Sequence, residues 1–196
     1  MSDRVRTSLG PLELPNPVMT ASGCGGPGRE LAQFFDLTRL GAFVTASVMP
    51  QARAGRPTPR VTETPSGLLT AMGLPGPGIE TFLERDLPWL LERDVRTIVS
   101  VAGGSVEEYA DLGRRLRNVP GIAGIEVNIA CPNVEDRGRV FAWHPAAAAS
   151  VVRAVRDQVL GHVAGLTGAA SAELTIVEGR VVAVGGLVVA DLGLDG

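Results

Sequence analysis

The chain has 196 residues, enough for one well-packed core and too few for two ordinary domains. Hydrophobic residues make up 45% of it and charged residues 20%, which is typical of a globular protein. The net charge of −3 gives no indication of nucleic-acid binding.

All 18 basic residues are arginines, so chemistry that needs a lysine, such as Schiff-base formation, is excluded. Cys24 and Cys131 lie far apart and lack metal-ligand spacing, which favours reduced thiols and a cytoplasmic location. The polar start, M-S-D-R-V-R-T, carries no signal-peptide pattern, and no apolar run has spanning length. We therefore expect no contact with a membrane.

The first part of the chain predicts a hairpin followed by two strands. The segment Arg4–Leu14 alternates around a glycine-proline turn and predicts the hairpin. Pro17–Ser22 is the first predicted inner strand, and it runs into a glycine-rich loop, Gly23–Gly28, whose backbone N–H groups can approach a ligand closely. Glu30–Phe35 predicts a short helix, and Ala42–Ser47 predicts the second strand.

A polar excursion follows the second strand. Gln51–Arg60 reads Q-A-R-A-G-R-P-T-P-R, and its three arginines face either solvent or an anion. Turn clusters at residues 64–67 and 73–78 bracket L-L-T-A-M and indicate an excursion over the carboxyl edge of the sheet. Ile79–Leu90 has helical spacing, with a break expected near Pro88.

Two regular strand-helix units come next. Arg96–Ala102 predicts the third strand, and Ser105 with Glu108 forms the capping-box pattern of a helix start. Ile122, Ile125 and Val127 suit a fourth strand, and their mostly apolar run fits a parallel sheet covered on both faces. Pro145 fits the first turn of a last helix that carries valines at helical spacing.

Four strand-plus-helix units therefore account for residues 17–159, which predicts a β/α barrel or an open parallel sheet. Residues 160–172 read as a linker of small residues, and residues 173–196 as a β-rich tail. Four strands leave two open edges, and unpaired edges invite association. We expect the chain to form a homodimer, to cover one edge with its tail, or to aggregate.

The stretch Ile125–Asn133 carries the candidate chemistry. Asn128 falls where the strand leaves the sheet, and Pro132 restrains Cys131 to an extended conformation in a loop at the strand's carboxyl end, where α/β folds bind ligands. Cys131 can act as a base or nucleophile if its surroundings lower its pKa, and Asn128 and Asn133 can hold a planar polar ligand. The spacing alone favours the alternative, a small buried thiol with loop-capping amides.

Five segments together resemble the soluble, class 1 dihydroorotate dehydrogenases, over a range from about Leu14 to Val159. They are T-A-S-G at 20–23, F-F-D-L-T-R-L-G-A at 34–42, G-R-P-T-P-R at 55–60, E-T-P-S-G at 63–67 and N-x-x-C-P-N-V at 128–134. The resemblance implies a TIM-type (β/α)₈ barrel of which this chain carries about four units. It also implies FMN as cofactor and the oxidation of dihydroorotate to orotate in pyrimidine biosynthesis.

The resemblance assigns roles to individual residues. Cys131 would be the base that takes the C5 proton of dihydroorotate while a hydride leaves C6 for the flavin. Asn128 and Asn133 would hold the polar edge of the pyrimidine, with Asn128 also near the flavin. The flavin ring would be lined by Ala21, Ser22 and Ser100. The substrate loop would be formed by Ala71, Met72, Gly73 and Leu74.

Three positions depart from the family pattern. The family has lysine where this chain has Ala46, asparagine where it has Thr70, and serine or threonine where it has Ala130. A cation lost beside developing negative charge typically costs several kcal/mol of transition-state stabilisation. The later strands of the family, which supply another lysine and the loops that grip the FMN phosphate, have no counterpart after Val159.

Two function hypotheses result. In the first, the chain is an FMN-dependent dihydroorotate dehydrogenase that a complementing barrel half completes. Relatives deliver electrons to fumarate or, through an iron–sulfur flavoprotein subunit, to NAD. In the second, the chain is a catalytically silent remnant or interaction module of the same fold.

Overall fold

A computed structural model describes residues 5–10, 12–131, 138–167, 174–177, 180–183 and 188–191. It confirms the α/β class and the parallel sheet. The sheet of the described residues is open and does not close into a barrel. No helix in these ranges is both long enough and apolar enough to span a bilayer.

The strands are, in chain order, Thr7–Leu9 (β1), Leu12–Leu14 (β2), Phe43–Val44 (β3), Val61–Thr64 (β4), Gly67–Thr70 (β5), Thr97–Val101 (β6), Ile122–Val127 (β7), Leu174–Val177 (β8), Arg180–Ala183 (β9) and Val188–Asp191 (β10). The α-helices are Ile79–Thr81 (α1), Leu87–Leu91 (α2), Val106–Leu116 (α3) and Pro145–Thr167 (α4). A π-helical turn, Phe82–Asp86, joins α1 to α2.

The main sheet has six strands in the order β3-β6-β7-β10-β9-β8. Strands β3, β6, β7 and β10 run parallel to their neighbours within this set, so their carboxyl ends meet at one edge. β10 pairs with β7 and so covers its edge, and β9 and β8 follow as antiparallel strands. The predicted amino-terminal hairpin is present as β1 and β2, and β4 and β5 form a second one.

Helices α3 and α4 cover one face of the sheet and form the largest core. The side chain of Ser105 caps α3 by accepting from the backbone N–H of Glu108 at 3.3 Å, as the capping-box pattern predicts. Leu112 of α3 and Val155 of α4 are fully buried. A Cβ built on Gly113 would lie 3.2 Å from the Val155 backbone, so the two helices approach closely there.

The helical stretch 79–91 changes type where the proline was expected to break it. Pro88 lies in the first turn of α2, and the π-helical turn immediately precedes that helix. Proline has no backbone N–H to donate to the preceding helical turn, and the change from the π-helical turn to α2 falls at this point. On the outer side of α2, the guanidinium carbons of Arg29 and Arg93 lie 4.8 and 4.3 Å from the centre of the Trp89 ring.

The predicted strand Pro17–Ser22 is wrong: only one parallel bridge forms there, between Met19 and Ala42. Side chains take over the hydrogen bonds that a ladder would use. The Asn16 side chain accepts from Val18 N–H at 3.0 Å, and the Thr20 hydroxyl exchanges hydrogen bonds with both backbone groups of Val44. The Asn16 bond is a local one, of the kind that competes with regular structure, whereas Thr20 binds a residue 24 positions away.

Two other predicted boundaries differ from the structure. The helix predicted at Glu30–Phe35 is a single 3₁₀ turn, Leu31–Gln33, and the Glu30 side chain does not cap it. Helix α4 continues to Thr167, so residues 160–167 of the predicted linker are helical. Residues 168–173 lie outside the described ranges.

Candidate active site

A cleft of about 1060 Å³ opens at the carboxyl edge of the parallel strands. The segments that follow β3 and β7 form one wall and the segment that follows β5 contributes another. The polar and small residues of the wall at this edge include Ser22, Ala46, Ser47, Asn128 and Ala130. The cleft therefore lies where parallel sheets of α/β proteins bind their ligands.

Ser47 is the centre of a hydroxyl and amide network in this cleft. Its Oγ accepts from Asn128 Nδ2 at 2.9 Å and lies 3.0 Å from Ser100 Oγ and 3.3 Å from Ser22 Oγ. Each of these residues comes from a different strand end or loop. The network therefore links four segments of the chain, three of which line the cleft.

Asn128 is held at both its backbone and its side chain. Its backbone N–H donates to the Val101 carbonyl at 2.9 Å, which continues the ladder between β6 and β7 past the end of β7. Its Oδ1 accepts from Ala130 N–H at 3.0 Å while Nδ2 donates to Ser47. The half-buried amide is therefore presented to the cleft in one fixed orientation.

The residues predicted to line a flavin ring divide into two sets. Ala21 and Ser22 border the cleft. Ser100 is fully buried and reaches the cleft only through its hydrogen bond to Ser47. Their roles stay predictions, but the structure brings Ser22, Ser100 and Asn128 into one hydrogen-bonded group.

The predicted substrate loop follows β5. Met72 and Leu74 line the cleft, whereas Ala71 is exposed and does not. Gly73 has φ of +75°, and a Cβ there would approach the Arg56 backbone within 2.9 Å, so glycine permits this turn. Asn133, the remaining predicted substrate residue, lies outside the described ranges.

Cys131 lies at the carboxyl edge of the sheet but is only 2% exposed. It packs with Met49, Ala102 and Leu74, and it is not among the residues lining the cleft. Burial raises the pKa of the Cys131 thiol, and the Glu108 carboxylate raises it further, while the positive charge of Arg53 opposes both. The observed conformation therefore favours a neutral thiol.

Arg53 is a site residue that the sequence interpretation did not single out. Its backbone exchanges hydrogen bonds with Gly76 at 2.8 and 2.9 Å, and its Nη1 donates to Met49 Sδ at 3.2 Å. These contacts hold the guanidinium beside the cysteine cluster. By contrast, Arg60 of the same loop turns its guanidinium onto loop carbonyls at Ala54 and Arg56.

The sequence interpretation also missed Thr45 and Ser47. The Thr45 hydroxyl accepts from Ser100 N–H at 3.1 Å, and Ser47 is the centre of the network described above. A signal was present in T-A-S at 45–47, because hydroxyl side chains at the carboxyl end of a parallel strand lie at the ligand edge. The resemblance drew attention to Ala46 instead.

The sequence pattern of the dihydroorotate dehydrogenase family matches residues 4–176. The chain is similar to the dihydroorotate dehydrogenase B (NAD(+)) catalytic subunits of Desulforudis audaxviator, with 50% identity over 157 residues, and of Anoxybacillus flavithermus, with 47% identity over 155 residues.

These alignments cover 80% and 79% of this chain, and 51% and 50% of the two relatives. The catalytic subunit of Pelobacter propionicus is 49% identical over 156 residues, with 80% of this chain and 51% of the relative covered. The chain thus spans about half the length of the relatives it matches. It belongs to the dihydroorotate dehydrogenase family.

Proposed function

We propose that this chain forms the amino-terminal half of a TIM-type barrel and takes part in the oxidation of dihydroorotate to orotate in pyrimidine biosynthesis. The observation that supports this most directly is the Ser47 network, which fixes an asparagine and two further serines at the carboxyl edge of the sheet. Names of similar proteins point to the same reaction.

The described residues fit the flat ring of FMN. Ala21 and Ala46 leave room beside the strand ends, and Ser22, Ser47 and Asn128 offer hydrogen-bonding groups at the same edge. The cleft volume lies just above the usual range of ligand sites, about 300–1000 Å³. When bound, FMN supplies the hydride acceptor of the reaction.

The described residues offer fewer groups that could bind the phosphate of FMN. Among the described residues that line the cleft, Arg85 is the one with a permanent positive charge, and its guanidinium is already paired with Asp86 at 2.8 and 3.0 Å. Phosphate sites of this barrel type normally use loops after the last strands. The site for the FMN phosphate therefore belongs to the complementing half of the barrel.

In the proposed reaction, Cys131 acts as a thiolate base and takes the C5 proton of dihydroorotate. The Asn128 amide holds the polar edge of the ring, as does Asn133 in this proposal. Because Cys131 is buried and does not line the cleft, its sulfur must move to reach a ligand there. The charge of Arg53 favours the thiolate form.

The proposed partners follow from the open half-barrel. Glu126 of β7 places a carboxylate on the cleft wall, and no ionic partner for it exists within the described ranges. A complementing barrel half with an inward-facing cation would pair with it. By analogy with the names of the relatives, a further electron-transfer subunit would pass electrons to NAD.

Reconstitution with FMN tests this function. The protein should become yellow, and its visible flavin absorbance should bleach when dihydroorotate is added without oxygen. Cys131→Ser should still bind flavin but bleach about 100-fold more slowly or worse, because general bases contribute at least that factor. Adding the carboxyl-terminal half of a relative as a second chain tests whether completion of the barrel is needed.

A catalytically silent scaffold is the second candidate, and the buried, neutral Cys131 together with Ala46 favours it. It predicts a folded protein that stays colourless after reconstitution, with or without the second half. Yellow protein that bleaches with dihydroorotate overturns this candidate.

A further inference from the structure

Tyr109 is a fully buried polar residue that the proposed reaction does not use. It lies in α3, and its hydroxyl donates to the backbone carbonyl of Asn128 at 2.5 Å. Burial raises the pKa of the Tyr109 phenol well above its ordinary value, so the hydroxyl stays protonated and remains a donor. A helix side chain is thus attached to the segment that carries Asn128 and Cys131.

The Tyr109 ring contacts the return segment of the same loop. It meets the ring of Phe141 edge to face, with centroids 5.4 Å apart and planes at 90°. Such edge-to-face pairs stabilise a core beyond the effect of the area they bury. Phe141 is itself only 1% exposed, so this contact is part of the core.

The outgoing and return segments also bind each other directly. Phe141 N–H donates to the Cys131 carbonyl at 3.3 Å, and Ala142 N–H donates to the Ile129 carbonyl at 3.0 Å. The backbone carbonyls of Ile129 and Cys131 are therefore both held by the return segment. Tyr109 contacts both segments of this pair, one through its hydroxyl and the other through its ring.

We propose that Tyr109 is a positioning residue that fixes the backbone of Asn128 and Cys131 at the carboxyl edge of β7 through its hydroxyl and through Phe141. Its importance for catalysis rests on the function proposed above. The positioning itself needs neither flavin nor substrate, and it can be measured on the chain alone.

The test measures access to the Cys131 thiol. In a Cys24→Ser background Cys131 is the remaining thiol, and its alkylation by iodoacetamide is followed by mass spectrometry. Tyr109→Phe keeps the ring contact and removes only the hydroxyl. We expect alkylation of Cys131 to become about two- to tenfold faster, since a hydrogen bond of this kind contributes about 0.5–1.5 kcal/mol.

Thr97→Val is the matched control. The Thr97 hydroxyl also donates to a backbone carbonyl, that of Val95 at 2.8 Å. Thr97 is fully buried at the amino-terminal end of β6, away from the carboxyl edge where Cys131 lies. We expect this variant to lose similar unfolding free energy without faster alkylation. Equal acceleration in both variants, or no acceleration in Tyr109→Phe, overturns the positioning role.

Hydrogen exchange on the unmodified chain gives a second test that does not depend on any variant. The amides of Phe141 and Ala142 should be protected to about the same degree as those of β7. Free exchange at these two amides overturns the proposal. If the protein does not bind flavin, the proposed reaction is contradicted, but the proposed positioning of Cys131 is not.

Discussion

Residues 97–159 and residues 16–60 both contribute to the cleft, yet they are held together by different forces. In the first region two strands of five and six residues carry two helices, and the core lies between the helices and the sheet. The second region contains one strand of two residues, single bridges and 3₁₀ turns.

The irregular region depends on polar contacts in place of a regular ladder. Asn16 donates to the Arg39 carbonyl at 2.9 Å, Gly41 N–H donates to the Val18 carbonyl at 2.8 Å, and Thr20 binds Val44. The packing of helices on regular strands therefore makes residues 97–159 rigid. The irregular segment, residues 16–60, leaves hydroxyl groups available to the cleft. Four variants test this division, in order of expected effect.

Leu112→Ala should have the largest effect, because it removes a fully buried side chain between α3 and α4. We expect a loss of about 2–5 kcal/mol in unfolding free energy. Urea unfolding measures it, with Val18→Ala as control, since Val18 is 58% exposed. A loss as small as that of the control would mean that the helical core does not dominate stability.

Gly41→Ala tests the irregular region. A Cβ at this position would overlap the carbonyl oxygen of Asn16, which is backbone and cannot move aside alone. We expect a cost of about 1–3 kcal/mol, as for other overpacked sites. Gly67→Ala is the matched control, because the nearest atom to its Cβ would be 4.0 Å away. Similar stability of both variants would contradict the close approach at Gly41.

Ser47→Ala should cost about 1 kcal/mol, because Asn128 and Ser100 lose their shared partner. In the flavin-binding protein the same change should weaken FMN binding. Ser150→Ala is the control, since the Ser150 hydroxyl bonds only to the Ala146 carbonyl in its own helix. Isothermal titration and urea unfolding provide the measurements. If flavin affinity is unchanged, the network does not face the ring.

Arg53→Gln should change pH dependence more than stability. The Arg53 charge lowers the pKa of Cys131, so its removal should raise that pKa further above the ordinary 9.0. The protonated thiol contributes stability that is fully present below pH 9.0 and is lost as the pH rises through the pKa of Cys131 in the folded state. Because that pKa is higher in the variant, the variant should lose this stability at a higher pH.

The measurement for Arg53→Gln is the pH profile of Cys131 alkylation in the Cys24→Ser background, whose midpoint should move upward. Arg56→Gln is the matched control, because Arg56 lies on the same loop without influence on the thiol. A midpoint that stays in place, or moves in both variants, would show that Arg53 does not act on Cys131.

The comparison also explains which features the sequence predicts. The strands β6 and β7 and the helix start at Ser105 are predicted correctly, because an apolar run and a capping pattern are local signals. The strand predicted at Pro17–Ser22 fails because Asn16 and Thr20 engage partners more than 20 positions away. Such partners leave no local pattern.

In the candidate site, too, some features follow from the local sequence and others do not. The position of Asn128 at a strand end follows from the sequence around it. The burial of Cys131 agrees with the alternative that spacing alone favoured. Its neighbours Met49, Leu74 and Ala102 could not be predicted, because they come from three other segments. The importance of Ser47 likewise depends on which strands become neighbours, and only the sheet order determines that.

The two tryptophans lie in different helical segments and give separate optical signals. Trp89, between two guanidinium groups, belongs to the outer face of α2, whereas Trp143 directly follows the return segment at Phe141 and is 66% exposed. An aqueous quencher should therefore reduce Trp143 emission first. Fluorescence without any label can then report movement beside Cys131 separately from changes elsewhere in the chain.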